Sequence, residues 1–187
     1  MDSEQPTVVW HVDDLTVSHI YGGVVTRMSA WIKKTYERLF KDGSGAMNLN
    51  HGMIHKYLGM TLDCSTRGEV KIMMYNYIRD IITDFKQYDS SNNNTRTHVA
   101  NYVFKVRDDQ KKLPETLAQV FHTFTARALF DTKQARPDIH TAVSFFTTIV
   151  LCPVDENCTK LVRLIRYLRA TLTLPLILSA DSANIVK

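Results

Sequence analysis

The spacing of the apolar residues changes abruptly at the two glycines 22–23, and no other feature limits the fold of this chain as strongly. Before them, residues 8–12 are β-branched and aromatic, and residues 15–20 alternate between apolar and polar types. With two aspartates between these segments, the pattern predicts a β-hairpin. After them, residues 24–40 carry apolar side chains at helical spacing, which predicts an amphipathic helix. The fold must therefore combine strands and helices.

The rest of the chain continues this mixture and then becomes mostly helical. A second hairpin is predicted over residues 56–62 and 69–75, and a helix over residues 76–85. Residues 87–113 are rich in Asn, Ser, Asp and Lys, which is typical of a surface connection. Beyond it the spacing predicts helices at 116–134, 136–150 and 159–171 and a strand at 174–179. We therefore predict an α+β fold with a mixed region at 1–87, a surface linker at 88–115 and a helical region at 116–187.

Composition excludes several classes of protein. With 187 residues, 44% of them hydrophobic and 22% charged, the chain is neither fibrous nor disordered. The net charge of +4 permits an anionic partner without requiring one. The three cysteines, an odd number without a Cys-x-x-Cys pair, support neither a disulfide framework nor a zinc site.

The sequence shows neither the pattern of a signal peptide nor that of a membrane-spanning helix. Residues 1–6 are acidic and polar, unlike a signal peptide, and the longest uncharged stretch, 141–154, is too short to span a bilayer. We therefore expect a soluble intracellular protein, cytoplasmic or nuclear, without a membrane partner.

Asp13 and Asp14 are the strongest candidates for chemistry. Adjacent carboxylates at the tip of a hairpin concentrate negative charge that Mg²⁺ can neutralise, together with phosphate oxygens and waters. Two such ions about 3.5–4 Å apart could activate a hydroxyl and stabilise a leaving pyrophosphate. Because successive side chains of a strand point to opposite faces, such a site needs a further carboxylate from another strand. The alternative is an ordinary turn, since Asp favours turns through its own backbone hydrogen bonds.

Four short motifs follow one another along the chain. They are Trp10-His-Val-Asp-Asp-Leu15, Lys56-Tyr-Leu-Gly-Met-Thr-Leu-Asp63, Ala135-Arg-Pro-Asp-Ile139 and Leu164-Ile-Arg-Tyr-Leu-Arg-Ala-Thr171. In this order and spacing they resemble the motifs of the reverse transcriptase of copia-type retrotransposons. Residues 77–85 are similar to the family's helix after the second motif, although more weakly. The resemblance extends over most of the chain.

The resemblance implies a fold, an activity and a set of partners. Residues 1–87 would form part of a polymerase palm, and residues 116–187 a helical thumb or connection region. Asp13 and Asp14 would hold the catalytic Mg²⁺ of an RNA-directed DNA polymerase, and the segment Tyr57, Leu58 and Gly59 would resemble the primer grip. The partners would be an RNA template, a DNA primer, deoxynucleoside triphosphates and the remainder of a Pol polyprotein with its RNase H domain.

The sequence departs from the family pattern at three points. His11 replaces the more common tyrosine, and the acids before the hairpin are only Asp2 and Glu4, so the family's first catalytic aspartate has no counterpart. Asp131 stands where the family has an apolar residue, and if buried it would cost several kcal/mol or stay protonated. We therefore expect a fragment, truncated at both ends and inactive alone.

A row of cations on the last predicted helix suggests a different function. Basic residues recur every three positions there, opposite a leucine-rich side: Lys160, Arg163, Arg166 and Arg169. They form either a solvated helix face or a loose stripe that contacts nucleic-acid phosphates. The alternatives to a polymerase fragment are thus a non-catalytic nucleic-acid-binding module and a domesticated interaction protein.

Overall fold

The computed structural model describes residues 5–38, 47–89, 91, 93–98, 103–105 and 110–179. It confirms a mixture of helices and antiparallel sheets. The chain divides into two compact units, residues 1–58 and residues 59–187. No helix in the described part is long and apolar enough to cross a membrane.

The first unit contains the elements predicted from the change in apolar spacing. Strand β1 (Thr7–His11) pairs antiparallel with β2 (Asp14–Ser18), and helix α1 (Gly22–Glu37) follows. Helix α1 buries Val24, Ser29 and Ile32, which lie on one face because their spacing is close to helical turns. Strand β3 (Ile54–Tyr57) completes the unit. The end of the predicted helix, at residues 39–40, lies outside the described residues.

The second unit contains a sheet whose last strand comes from the other end of the chain. Strands β4 (Met60–Asp63) and β5 (Glu69–Met73) form a hairpin close to the predicted one, but the predicted first strand, 56–62, is interrupted by a turn at Leu58 and Gly59. Strand β6 (Leu176–Ser179) pairs antiparallel with β5. Leu176 lies opposite Ile72, so the sheet joins residues more than a hundred positions apart. The prediction of a strand near residue 176 was correct, but its partner could not be inferred from local spacing.

Helices form the core of the second unit. They are α2 (Tyr75–Phe85), α3 (Glu115–Gln134), a 3₁₀ turn (Pro137–Ile139), α4 (His140–Ile149) and α5 (Asp155–Ala170). Helix α5 begins at Asp155, earlier than the predicted residue 159. Apolar spacing could not reveal its first turn, because that turn is polar. The side chain of Asn157 there accepts a hydrogen bond from the amide of Val154. The large side chains that are almost fully buried in this core are Ile78, Ile81, Phe121, Ile139, Phe146, Leu161, Leu164, Ile165 and Leu168.

The segment predicted as a surface linker, residues 88–115, contacts the helical unit at several points, although most of its described residues are exposed. Val103 is fully buried, and Leu113 donates its amide proton to the carbonyl oxygen of Pro153. The amide of Asp155 donates to the carbonyl of Lys111. The polar composition predicted a surface connection, and two of its backbone groups find partners directly before α5 and at its first residue. This part of the chain therefore belongs to the second unit rather than separating two regions.

A buried guanidinium connects two of the four motifs. Arg136 is 1% exposed, and it donates from Nε and Nη2 to the two carboxylate oxygens of Asp138 at 2.9 and 2.8 Å. It also donates to the Thr171 hydroxyl at 2.7 Å and the Thr171 carbonyl at 3.2 Å. Tyr167 donates its hydroxyl proton to Asp138. We call these four residues the Arg136 network.

The pKa of Asp138 is lowered within the Arg136 network. Burial alone would raise the pKa of Asp138, but the hydrogen bonds from Arg136 and Tyr167 lower it. Asp138 therefore stays ionised and balances the buried guanidinium.

Asp131, the residue that departs from the family pattern, is fully buried. Neither of its carboxyl oxygens has a hydrogen-bond partner in the described part of the chain. The donors of nearby Arg136 are directed at Asp138 and Thr171 instead. Burial raises the pKa of Asp131 to about 7, although the positive charge of Arg136 opposes the shift. The expectation that a buried Asp131 would keep its proton is therefore supported up to neutral pH.

We predict that Asp131→Asn removes a pH-dependent loss of stability. The pKa of an aspartate in an unfolded chain is about 3.9, so between about pH 4 and pH 7 only the folded state retains this proton. The raised folded-state pKa gives stability that is complete below about pH 4 and is lost as the pH rises to 7. The loss is at most about 1.4 kcal/mol per pH unit.

Urea unfolding of the wild type and the variant at several pH values between 4 and 8 measures this difference. Asp84→Asn is the control, because the Asp84 side chain is 58% exposed. Equal pH slopes in the wild type and Asp131→Asn would contradict the prediction.

Candidate functional site

The turn of the first hairpin has an unusual backbone conformation. Val12 has a φ of 47°, in the left-handed region that a β-branched residue rarely adopts. A positive φ at only the first central residue is typical of a type II′ turn, where glycine is usual. The indole Nε1 of Trp10 donates to the Val12 carbonyl at 2.7 Å and so supports the turn. Such strain costs about 1–3 kcal/mol and is often found at functional sites.

This turn exposes the two candidate catalytic carboxylates. Asp13 lies in the turn, and Asp14 begins β2 opposite His11. Both residues are exposed to solvent. Their positions therefore agree with the prediction of adjacent carboxylates at a hairpin tip.

Asp14 also contacts the segment predicted as primer-grip-like. Its Oδ2 accepts a hydrogen bond from the backbone amide of Leu58 at 3.2 Å. Leu58 and Gly59 have φ values of 50° and 77°, so the chain turns tightly directly after Tyr57. The contact spans 44 residues of sequence. The first and second motifs are therefore in contact through Asp14 and Leu58, which their order along the sequence could not show.

Within the described residues, the hairpin supplies only part of the carboxylate set that a two-metal site needs. In the part of the chain that the structure describes, no group of three or more His, Cys, Asp or Glu side chains is placed to hold a metal ion. Asp13 and Asp14 supply two carboxylates, one of which already accepts a backbone amide. Asp2 and Glu4, the acids that precede the hairpin, lie outside the described residues. We derive no metal-dependent step from these residues.

Lys160 is not on a solvated face of α5. It is 1% exposed, and its Nζ donates to the Lys105 carbonyl at 2.7 Å. The same ammonium lies 3.3 Å from a carboxylate oxygen of Glu156, one helical turn earlier. The prediction that Lys160 belongs to an exposed cationic stripe is therefore corrected, since its charge is satisfied inside the unit.

Arg166 and Arg169 bind one carboxylate from the segment before α3. Arg166 donates from Nε and Nη2 to Asp89, at 2.9 Å for both bonds, and Arg169 donates from Nη2 at 3.1 Å. The Asp89 side chain is only 6% exposed. The hydrogen bonds from Arg166 hold the pKa of Asp89 well below its usual range. We call this three-residue contact the Asp89 clamp.

Arg163 also has a partner within the protein. Its Nη2 donates to the hydroxyl of Thr97 at 2.7 Å, and the Thr95 hydroxyl donates to its carbonyl at 3.2 Å. Arg169 donates in addition to the Ser91 carbonyl. The arginines of α5 therefore hold the described residues of 89–97 against the helix. Sequence spacing could not show this, because the partners lie about 70 residues earlier.

We predict that Asp89→Asn destabilises the protein by about 1.5–3 kcal/mol, the usual contribution of hydrogen bonds to charged groups. The substitution removes the anion that compensates both guanidinium groups of the clamp. Asp84→Asn, which breaks an ion pair between Arg127 and the 58% exposed Asp84 side chain, should cost about 1 kcal/mol or less. Urea denaturation of the three proteins at pH 7 measures both changes. Equal stability losses in the two variants would refute the special role of Asp89.

The comparisons with known proteins identify no relative. No model of a known protein family, no curated protein and no solved structure matches the chain. Assignment of the chain to a family consequently depends on its motifs and on the contacts between them.

Proposed function

We propose that this chain is the C-terminal part of the polymerase domain of a copia-type reverse transcriptase. The observation that carries the proposal is the hydrogen bond between Asp14 and Leu58. It joins the candidate catalytic hairpin to the candidate primer-grip segment, the two elements that a polymerase must hold together at the primer end. An Asp-Asp turn with no role beyond the turn would not need this long-range partner.

The second pair of motifs supports the same proposal. Arg136 and Asp138 belong to the third motif, and Tyr167 and Thr171 belong to the fourth. In the Arg136 network these residues bind one another, with the motifs about 30 residues apart in sequence. Their role is structural, because a buried guanidinium needs several acceptors. The network explains physically why two separate motifs of these residue types occur together in one chain.

The intact enzyme would synthesise DNA on an RNA template from a DNA primer and deoxynucleoside triphosphates. Within this chain, Asp13 and Asp14 would provide two of the carboxylates for Mg²⁺, and residues 57–59 would lie beside the primer end. The cations of α5 contribute to folding rather than to this site, because Lys160 is buried and Arg166 and Arg169 bind Asp89.

Exposed apolar side chains on the first unit favour one alternative, an interaction protein. Trp10 is 64% exposed, Val12 is 74% exposed and Ile20 is 84% exposed. Exposed apolar side chains occur on surfaces that contact another polypeptide when they form a contiguous patch. In the proposed polymerase that polypeptide is the rest of the palm, whereas in a domesticated protein it is a different partner.

The coding DNA on both sides of the chain distinguishes these alternatives. The polymerase proposal requires an apolar strand with an aspartate upstream and an RNase H strand with an aspartate downstream. Unrelated coding sequence on both sides would overturn the proposal and favour the interaction protein.

We predict that the 187-residue chain alone does not extend a primer. Two-metal catalysis needs carboxylates that hold both ions, and the described residues provide only Asp13 and Asp14 at the hairpin. Extension of a labelled DNA primer on an RNA template, with Mg²⁺ or Mn²⁺, is the measurement. A complete reverse transcriptase serves as the positive control. Template-dependent extension that disappears in Asp13→Asn would contradict the prediction, whereas extension that persists in that variant would come from a contaminating polymerase.

A further inference from the structure

Three helices of the second unit enclose an apolar pocket that neither the hairpin nor the Arg136 network uses. Its volume is about 200 Å³, and we call it the α2–α3–α5 pocket. Its walls come from the end of α2, the first half of α3 and the first half of α5. Six of the residues that line it are Phe85, Tyr88, Leu117, Phe121, Cys158 and Leu161.

The chemistry of the walls selects a neutral ligand. Phe121, Leu161 and Phe85 form a base that is at most 3% exposed. Tyr88 and Cys158 are the residues with a polar side-chain group among those that line the pocket. No side chain with a full charge at neutral pH lines the pocket in the described part of the chain. A charged ligand would lose its hydration here without gaining a partner.

The size and shape of the walls indicate a compact aromatic ligand. Protein interiors are close-packed, and an apolar cavity of about 150 Å³ already holds a benzene molecule. A pocket of about 200 Å³ therefore has room for one ring or two small fused rings. The rings of Phe85 and Tyr88 lie 5.7 Å apart at 52°, so they offer aromatic faces and edges at the entrance. Tyr88 and Leu117 are 41% and 38% exposed, which leaves that entrance open to solvent.

We propose that the α2–α3–α5 pocket is a binding site for a neutral aromatic molecule of one or two fused rings. Aromatic and aliphatic side chains provide the binding surface. The site is independent of the proposed polymerase activity, since its residues belong to none of the candidate catalytic groups.

Cys158 makes the proposal testable with the full-length chain. The three cysteines are free, and only Cys158 lines this pocket, whereas Cys64 and Cys152 do not. Burial raises the pKa of the Cys158 thiol, so alkylation by N-ethylmaleimide is followed at pH 8 and above. Mass spectrometry of the peptides gives a separate rate for each cysteine, with and without indole as the probe.

We expect indole to slow the alkylation of Cys158 in a saturable way and to leave Cys64 and Cys152 unaffected. At ten times its Kd, indole occupies about 90% of the pockets, so the rate at Cys158 should fall about tenfold. Three results would overturn the proposal: an unchanged rate at Cys158, equal slowing at all three cysteines, or a Cys158 that reacts only after denaturation, which would show that the chain itself closes the pocket.

Substitutions that fill the pocket separate binding from an indirect effect. Val162→Phe places a ring in the pocket and should abolish the protection of Cys158 by indole, and Val120→Phe on the facing helix should do the same. Either variant suffices if the other fails to fold. Leu151→Phe is the matched control, because Leu151 is 92% exposed and does not line the pocket. Protection that persists in a folded pocket-filling variant would contradict the proposal.

Discussion

The second unit depends on the burial of the Arg136 guanidinium. Leaving this charge without a partner inside a protein costs several kcal/mol, so its donors must be satisfied by groups held at fixed positions. Asp138 supplies a carboxylate, Thr171 supplies a hydroxyl and a carbonyl, and the Tyr167 ring lies 5.5 Å from the guanidinium. These partners fix the end of α3, the 3₁₀ turn and the end of α5 relative to one another. Asp131 is buried beside this charge without a hydrogen bond to its carboxyl oxygens in the described residues, and the cost of burial outweighs the attraction of Arg136 for its ionised form.

The basic side chains of helix α5 also bind partners within the protein. The Asp89 clamp and the Arg163–Thr97 hydrogen bond attach described residues of 89–97 to the helix. Lys160 is also satisfied internally, so each of the four basic side chains of α5 has a hydrogen-bond partner within the protein, and Asp89 and Glu156 supply two negative charges to them. The four basic residues of α5, which lie three positions apart, thus help to hold other segments of the second unit against this helix.

The four motifs form two pairs of contacts, and the pairs serve different purposes. The first pair, joined by Asp14 and Leu58, places exposed carboxylates beside a tight turn and is suited to binding a ligand. The second pair, joined in the Arg136 network, is almost completely buried around its guanidinium and is suited to stability. Aspartate therefore has different roles in the two pairs according to its burial, because charges interact strongly only where water is excluded.

Local sequence was sufficient for most helices and strands, since period-two and helical spacing, glycines and turn residues act within about ten residues. It identified the β1–β2 hairpin and the Asp13 and Asp14 pair, whereas Asp131 was recognised as an anomaly only through the resemblance to the family pattern. It could not identify the partners of Asp14, Asp89 or Ile72, which lie tens of residues away and meet only when the chain is folded. The sequence by itself therefore determined the elements and the candidate carboxylates. Only the tertiary structure decided which charges are neutralised inside the protein, because burial and long-range pairing set the energy of a charge and neither depends on local spacing.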